Sequence, residues 1–191
     1  MYQQLKFRVR GVCPLLMHNG QLADPLNKFA KAMKKISGKR GKTDEDFAEL
    51  ARIEFLGSLY TDKTGKPVLP GELIEATIVK GAKQKKKGPK AKAGIIVDGN
   101  APLIYSGPKT AEQLVKDDSF RLATPVKVQQ SRVVRTRPKF DEWECEFTVH
   151  YLPDQVDTDD LKDWLEVAGR VCGFGDWRPR YGRFEVVEVA A

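Results

Sequence analysis

Residues 169–186 read GRVCGFGDWRPRYGRFEV. This stretch restricts the fold more than any other. It leaves an amphipathic helix, passes four glycines set among Trp177, Arg178, Arg180, Tyr181 and Arg183, and then resumes a strand. Glycine allows tight turns and close backbone approach, arginine pairs with anions, and flat rings stack on unpaired bases. A loop that combines the three needs a sheet and helices to hold it, and the rest of the chain supplies them.

Residues 4–13 alternate, with Leu5, Phe7 and Val9 on one face and Lys6, Arg8 and Arg10 on the other, which predicts a half-buried strand with a basic outer face. Asp24 and Pro25 read as an N-cap and first helical position. Leu26, Phe29, Ala30 and Met33 follow at helical spacing, with Lys28, Lys31, Lys34 and Lys35 off the stripe. Thr43 and Asp46 open a second helix through Phe47, Leu50 and Ala51. Residues 55–72 read as a hairpin, and Pro70–Gly71 starts a helix with Leu73, Ile74, Thr77 and Ile78 inward.

The segment KGAKQKKKGPKAKAG, residues 80–94, has glycines, a proline and no periodic apolar face, so it is expected to be a mobile surface loop. Residues 94–105 suggest one or two short strands and residues 110–118 a short helix. Residues 126–137 and 143–150 suggest two long strands around a turn in PKFDE, with Trp143, Cys145, Phe147 and Val149 inward. Thr158 can cap a helix carrying Leu161, Trp164, Leu165 and Ala168, and residues 184–189 close with a strand. This order predicts an α+β fold: a ferredoxin-like (RRM-like) antiparallel sheet with helices on one face. The whole chain, 1–191, is read as one domain with insertions at about 24–56 and 82–94.

No apolar run approaches membrane-spanning length, and the start, MYQQLKFRVRGV, lacks a signal peptide's apolar stretch, so a cytoplasmic protein is expected. Cys13, Cys145 and Cys172 are odd in number and fall at no metal-ligand spacing, which favours free thiols. The net charge of +7 points to a polyanionic partner. Its distribution is uneven: basic groups gather at 28–42, 80–92, 127–139 and 170–183, whereas residues 141–166 are acidic.

With two histidines, His18 and His150, far apart in sequence, no metal or cofactor site is expected. The glycine-rich loop follows a helix and precedes a strand, the reverse of a dinucleotide fingerprint. His18 and Asp24 share a loop where a metal-independent ribonuclease could keep a general acid or base; a turn residue and an N-cap are the simpler assignments. Binding has more support. Backbone amides freed by Gly173, Gly175 and Gly182, cations from Arg178, Arg180 and Arg183, and rings from Trp177 and Tyr181 together suit a single strand. The alternative places Trp177 in the core and leaves the arginines solvated. Lys85, Lys86 and Lys87 read as a solvated run or a gripping loop, and Arg132, Arg135 and Arg137 as phosphate contacts or salt bridges.

Two stretches in order, GKPVLPGELIEATIVKGAK (65–83) and GRVCGFGDWRPRYGRFEV, resemble the RAMP superfamily, the ferredoxin-like backbone subunits of CRISPR effector complexes. The resemblance implies binding of single-stranded RNA by its backbone, side-by-side assembly of copies along the strand, and partner subunits. It places Gly71 and its helix, Gly173, Gly175, Arg178, Arg180 and Gly182 near the nucleic acid. Residues 25–56, with Lys31 and Lys35, and 82–94 would be protruding elements touching the strand or a neighbouring copy. Two departures are Glu72, where small hydroxyl residues are common, and the short chain; a divergent member, of CRISPR or viral (phage) origin, is implied. The expected function is therefore a single-stranded RNA- or DNA-binding protein that multimerises without a sequence code, with a ribonuclease of the same fold or a protein-interaction module as alternatives.

Overall fold

The computed structural model describes residues 1–128 and 130–190. Along the chain run β1 (Gln3–Gly11), β2 (Leu15–Leu16), α1 (Lys28–Ser37), α2 (Asp44–Ser58), β3 (Val68–Pro70), α3 (Gly71–Gln84), α4 (Gly88–Gly94), β4 (Ile95–Val97) and β5 (Asn100–Ile104). Then come α5 (Ala111–Leu114), β6 (Arg121–Val128), β7 (Ser131–Phe140), β8 (Glu144–Tyr151), α6 (Thr158–Val171) and β9 (Phe184–Ala190).

The main sheet has the order β3-β5-β8-β1-β9, with β4 also pairing β8. β8 lies beside β1 and β9 on the other side of β1, both antiparallel. β4 and β5 are one strand position interrupted at Asp98–Gly99, because β8 pairs β4 through Val149–Tyr151 and β5 through Glu144–Cys145. Reduced to β1, α3, β4/β5, β8, α6 and β9, this is the ferredoxin-like order expected from the sequence.

One face of the sheet carries the core. Phe7 and Val9 of β1 and Cys145, Phe147 and Val149 of β8 pack with Ile74 and Ile78 of α3 and Leu161, Trp164 and Leu165 of α6, all buried. The opposite face matches the alternation but not the charge expected of it. Lys6 pairs with Glu146 at 2.7 Å, and Arg8 and Arg10 each reach Glu144 at 2.7 Å. The basic row of β1 is thus balanced by an acidic row of β8 that faces it across the strands.

Several local expectations change. Residues 80–94 are not a mobile loop: α3 continues to Gln84, and α4 packs with Gly88, Ala91 and Gly94 buried. Its buried face is built from glycine and alanine, which a hydrophobic pattern does not register. The strand expected over 126–137 is two antiparallel strands, running from Arg121 opposite Pro138 to Val128 opposite Ser131. Gln129, within that stretch, lies outside the described residues, and the sequence QQ there has none of the usual turn residues. α1 starts at Lys28 because Asn27, not Asp24, accepts the Phe29 N–H. The capping box of Thr43 and Asp46 forms as expected. Thr158 does not cap α6; its hydroxyl lies 3.0 Å from the Tyr151 hydroxyl. The three cysteines are free.

Candidate nucleic-acid interface

The glycine-rich loop is pinned by a side chain the sequence did not single out. Phe174 is fully buried and stacks on Phe184 with ring centroids 4.3 Å apart. Around it the Phe174 N–H donates to Gly182 O, the Gly182 N–H to Pro14 O and the Asp176 N–H to Leu16 O, each at 2.8 Å. The Gly173 N–H donates to Ala168 O at 2.9 Å. Gly173 and Gly182 therefore have their amides committed to the fold and offer none to a phosphate. Gly175 and Gly182 adopt φ of 75° and 77°, and a Cβ on either would overlap a carbonyl oxygen, of Leu16 or Phe174 respectively. The glycines let the loop lie flat on residues 14–16.

With its glycines inward, the loop turns its cations and rings outward. Trp177 is 45% exposed, so it is not a core residue, and it lies nearly parallel to Tyr181 with centroids 6.0 Å apart. Trp177 holds φ at 57°, a left-handed conformation that is strained for a residue with a large side chain. Arg178, Arg180 and Arg183 are exposed, and none forms an ion pair among the described residues.

Arg178 reaches beyond its own loop. Partial burial, and next the Arg178 guanidinium, hold the Lys80 ammonium below its ordinary pKa. The Tyr60 hydroxyl, raised mainly by burial, also feels Asp176 and Arg178. Tyr60 and Lys80, from two other segments, thus both feel the charge of Arg178. Tyr60 and Lys80 were missed as site residues because sequence spacing cannot show which lysine of the basic run meets the loop.

The remaining candidates divide. Lys85 pairs with Asp163 at 3.1 Å and Lys87 with Asp160 at 2.7 Å, while Lys86 is exposed. Arg135 bonds the buried Glu54 at 3.0 Å, and Arg137 donates to Asp176 of the glycine-rich loop. These two arginines tie β7 to α2 and to the loop; Arg132 is exposed and unpaired among the described residues. Lys31 and Lys35 are exposed on α1. Gly71 is buried, and a Cβ there would overlap the Gly99 carbonyl oxygen, so the helix start is packed on the β4–β5 turn.

His18 lies with its Nδ1 3.5 Å from the Ser58 hydroxyl, and partial desolvation with the nearby Arg137 lowers its pKa. Asp24 accepts the Leu26 N–H at 2.8 Å. No hydrogen bond joins His18 to Asp24 among the described residues. No group of three His, Cys, Asp or Glu side chains suited to a metal, and no helix long and apolar enough to cross a membrane, occurs among the described residues.

No family model and no curated protein matches the chain. Among solved structures, it is similar to a chain of the type III-B Cmr-beta complex, determined by cryo-electron microscopy bound to cognate target RNA. The TM-score is 0.60 at 11% identity, with 99% of this chain covered. The match covers 60% of that longer chain. At this identity the likeness is one of fold alone.

Proposed function

We propose that this chain holds single-stranded RNA by its phosphate backbone, as a subunit of a multi-subunit ribonucleoprotein complex in which copies of it associate along the strand. The observation that carries this reading is the uncompensated positive charge at the glycine-rich loop. Elsewhere carboxylates neutralise Lys6, Arg8, Arg10, Lys85, Lys87 and Arg135, and the loop's own Asp176 is taken by Arg137 of β7. At the loop, Arg178, Arg180 and Arg183 are exposed and form no ion pair among the described residues, and a phosphate would balance them.

Trp177 and Tyr181 add a surface on which bases stack without regard to sequence. The sheet's outer face, which in RRM domains carries stacking aromatics, is covered here by ion pairs, so binding is assigned to the loop and the flank of α3. RNA is favoured over DNA because the structurally similar chain comes from an RNA-bound complex.

The test is fluorescence anisotropy with a labelled single-stranded RNA, the matching single-stranded DNA and an RNA duplex. Single-stranded RNA should bind tightest, and Arg178→Glu with Arg180→Glu should abolish binding while the protein keeps a cooperative melt. Unchanged affinity in that double variant would overturn the assignment of the loop.

A further inference from the structure

β7 has two edges. One pairs with β6; on the other, β2 pairs at Lys139 and Phe140 and Glu54 of α2 accepts the Thr136 N–H at 2.8 Å, so only the stretch before Thr136 is open. In an antiparallel ladder every second residue turns its N–H and C=O away from the partner strand. The Thr136 bond therefore means that Val134 and Arg132 also point away from β6. Pro125, directly opposite Val134, fits this register, since its position on β6 needs no ladder donor. No acceptor for the Val134 or Arg132 N–H stands on that side among the described residues.

This open edge borders a cavity of about 850 Å³ between α1, α2 and β7. Met33, Phe47, Leu50 and Val134 form its apolar walls, and Lys42 and Arg132 add positive charge. Phe47 is 57% exposed and Val134 64%, so both are available to a partner. An extended strand bonds these main-chain groups at every second residue along the edge and fills the apolar cleft with alternate side chains.

The chain itself carries a complementary strand. Among the described residues β9 pairs only with β1; it is bulged at Val187 and exposes Val187 through Ala190. Its sequence, FEVVEVA, sets Glu185 and Glu188 among three valines and has neither the lysine nor the proline that often guards an edge.

We propose that β9 of one copy adds as a strand to the open edge of β7 in a second copy. Its exposed Val187 and Val189 meet Phe47 and Val134, and Glu185 and Glu188 approach Lys42 and Arg132. The two surfaces differ, so the contact is heterologous and copies add head to tail. The inference rests on the multimer reading above and names the surfaces that would produce it.

The test is sedimentation of the nuclease-treated full chain, alone and with a 40-nucleotide RNA, with RNA binding measured separately. Val134→Pro removes the outward N–H while mirroring Pro125, and Glu185→Lys with Glu188→Lys reverses the charge of β9. Each should weaken assembly at least ten-fold. Mixed together, these two variants should stop at a dimer, because one good surface remains on each. Lys42→Glu with Arg132→Glu should block assembly alone and restore it when combined with the reversed β9. A melt of each variant separates loss of fold from loss of contact, and the exposed Phe47→Asp serves if Val134→Pro fails to fold. Assembly unaffected by these changes would overturn the interface, as would loss of RNA binding with assembly intact. A chain that binds RNA yet stays monomeric on it would also overturn the interface, while leaving the RNA-binding reading standing.

Discussion

The Lys80 ammonium is held below its ordinary pKa by partial burial first and by the charge of Arg178 second, and neither group forms an ion pair among the described residues. The proposed phosphate contact would balance both charges.

Salt titration measures that contact. If Lys80, Arg178, Arg180 and Arg183 each contact a phosphate, log affinity for single-stranded RNA should fall against log salt with a slope of roughly −3, at about −0.7 per contact. Lys80→Ala should make the slope shallower by about 0.7. Lys85→Ala, whose charge Asp163 already balances, should leave it unchanged. A wild-type slope near zero would count against backbone binding altogether.

Trp177 and Phe174 are three residues apart and should respond oppositely to truncation. Phe174→Ala empties a fully buried ring site and is expected to cost about 3–5 kcal/mol of stability. Trp177→Ala removes a partly exposed ring and should change stability little, while weakening RNA binding by about 1–3 kcal/mol if a base stacks there. Chemical denaturation and anisotropy on the same two proteins separate anchoring from binding.

These two residues also show what the sequence reveals. The alternation in β1 and β8 gives the inward faces of the sheet, and the helical spacing of Leu161, Trp164 and Leu165 gives the buried face of α6. Within the glycine-rich loop, local pattern cannot say whether Phe174 or Trp177 turns inward, because that depends on Pro14 and Leu16, far away in sequence. α4 is hidden for a different reason: its contact face is glycine and alanine, so its packing leaves no apolar stripe. Cross-strand charge is hidden too, since only the register of β1 against β8 shows that Glu144 and Glu146 neutralise the basic row.

Gly175 and Gly41 both hold left-handed φ, at 75° and 66°, but only Gly175 also lies against another backbone. Gly41→Ala should cost about 1 kcal/mol, the strain of that conformation alone. Gly175→Ala adds a clash with the Leu16 carbonyl, so it should cost clearly more and lower RNA affinity by displacing the loop. Equal melting shifts in the two variants would mean that the loop tolerates lifting from residues 14–16.

Glu54 joins α2 to the hairpin through Arg135 and the Thr136 N–H, and it is 5% exposed. Glu54→Ala leaves a buried donor and a partly buried guanidinium without partners, and should destabilise by about 2 kcal/mol. Glu54→Gln keeps one acceptor and should recover part of the loss. Because the glycine-rich loop is anchored elsewhere, RNA affinity of the folded variant should stay within about three-fold of wild type, a change of roughly 0.6 kcal/mol.

Acid should weaken the protein in two separate ranges. His18 has its folded-state pKa lowered by partial desolvation and then by Arg137, so the unfolded chain takes up its proton first. Stability linked to His18 is complete above its ordinary value of 6.5 and is lost as pH falls from there through the lower folded value. Glu144, held down by its bonds to Arg10 and Arg8, and Glu146, held down by Lys6, behave likewise from 4.5 downward. In both cases the unfolded state binds more protons, so stability rises with pH. His18→Gln should flatten the melting temperature as pH falls below about 6.5, whereas Glu144→Gln should flatten it only below about pH 4.5. Should His18→Gln leave the upper range unchanged, another group titrates there, and the enclosure of His18 by Arg137 and Ser58 has no bearing on stability.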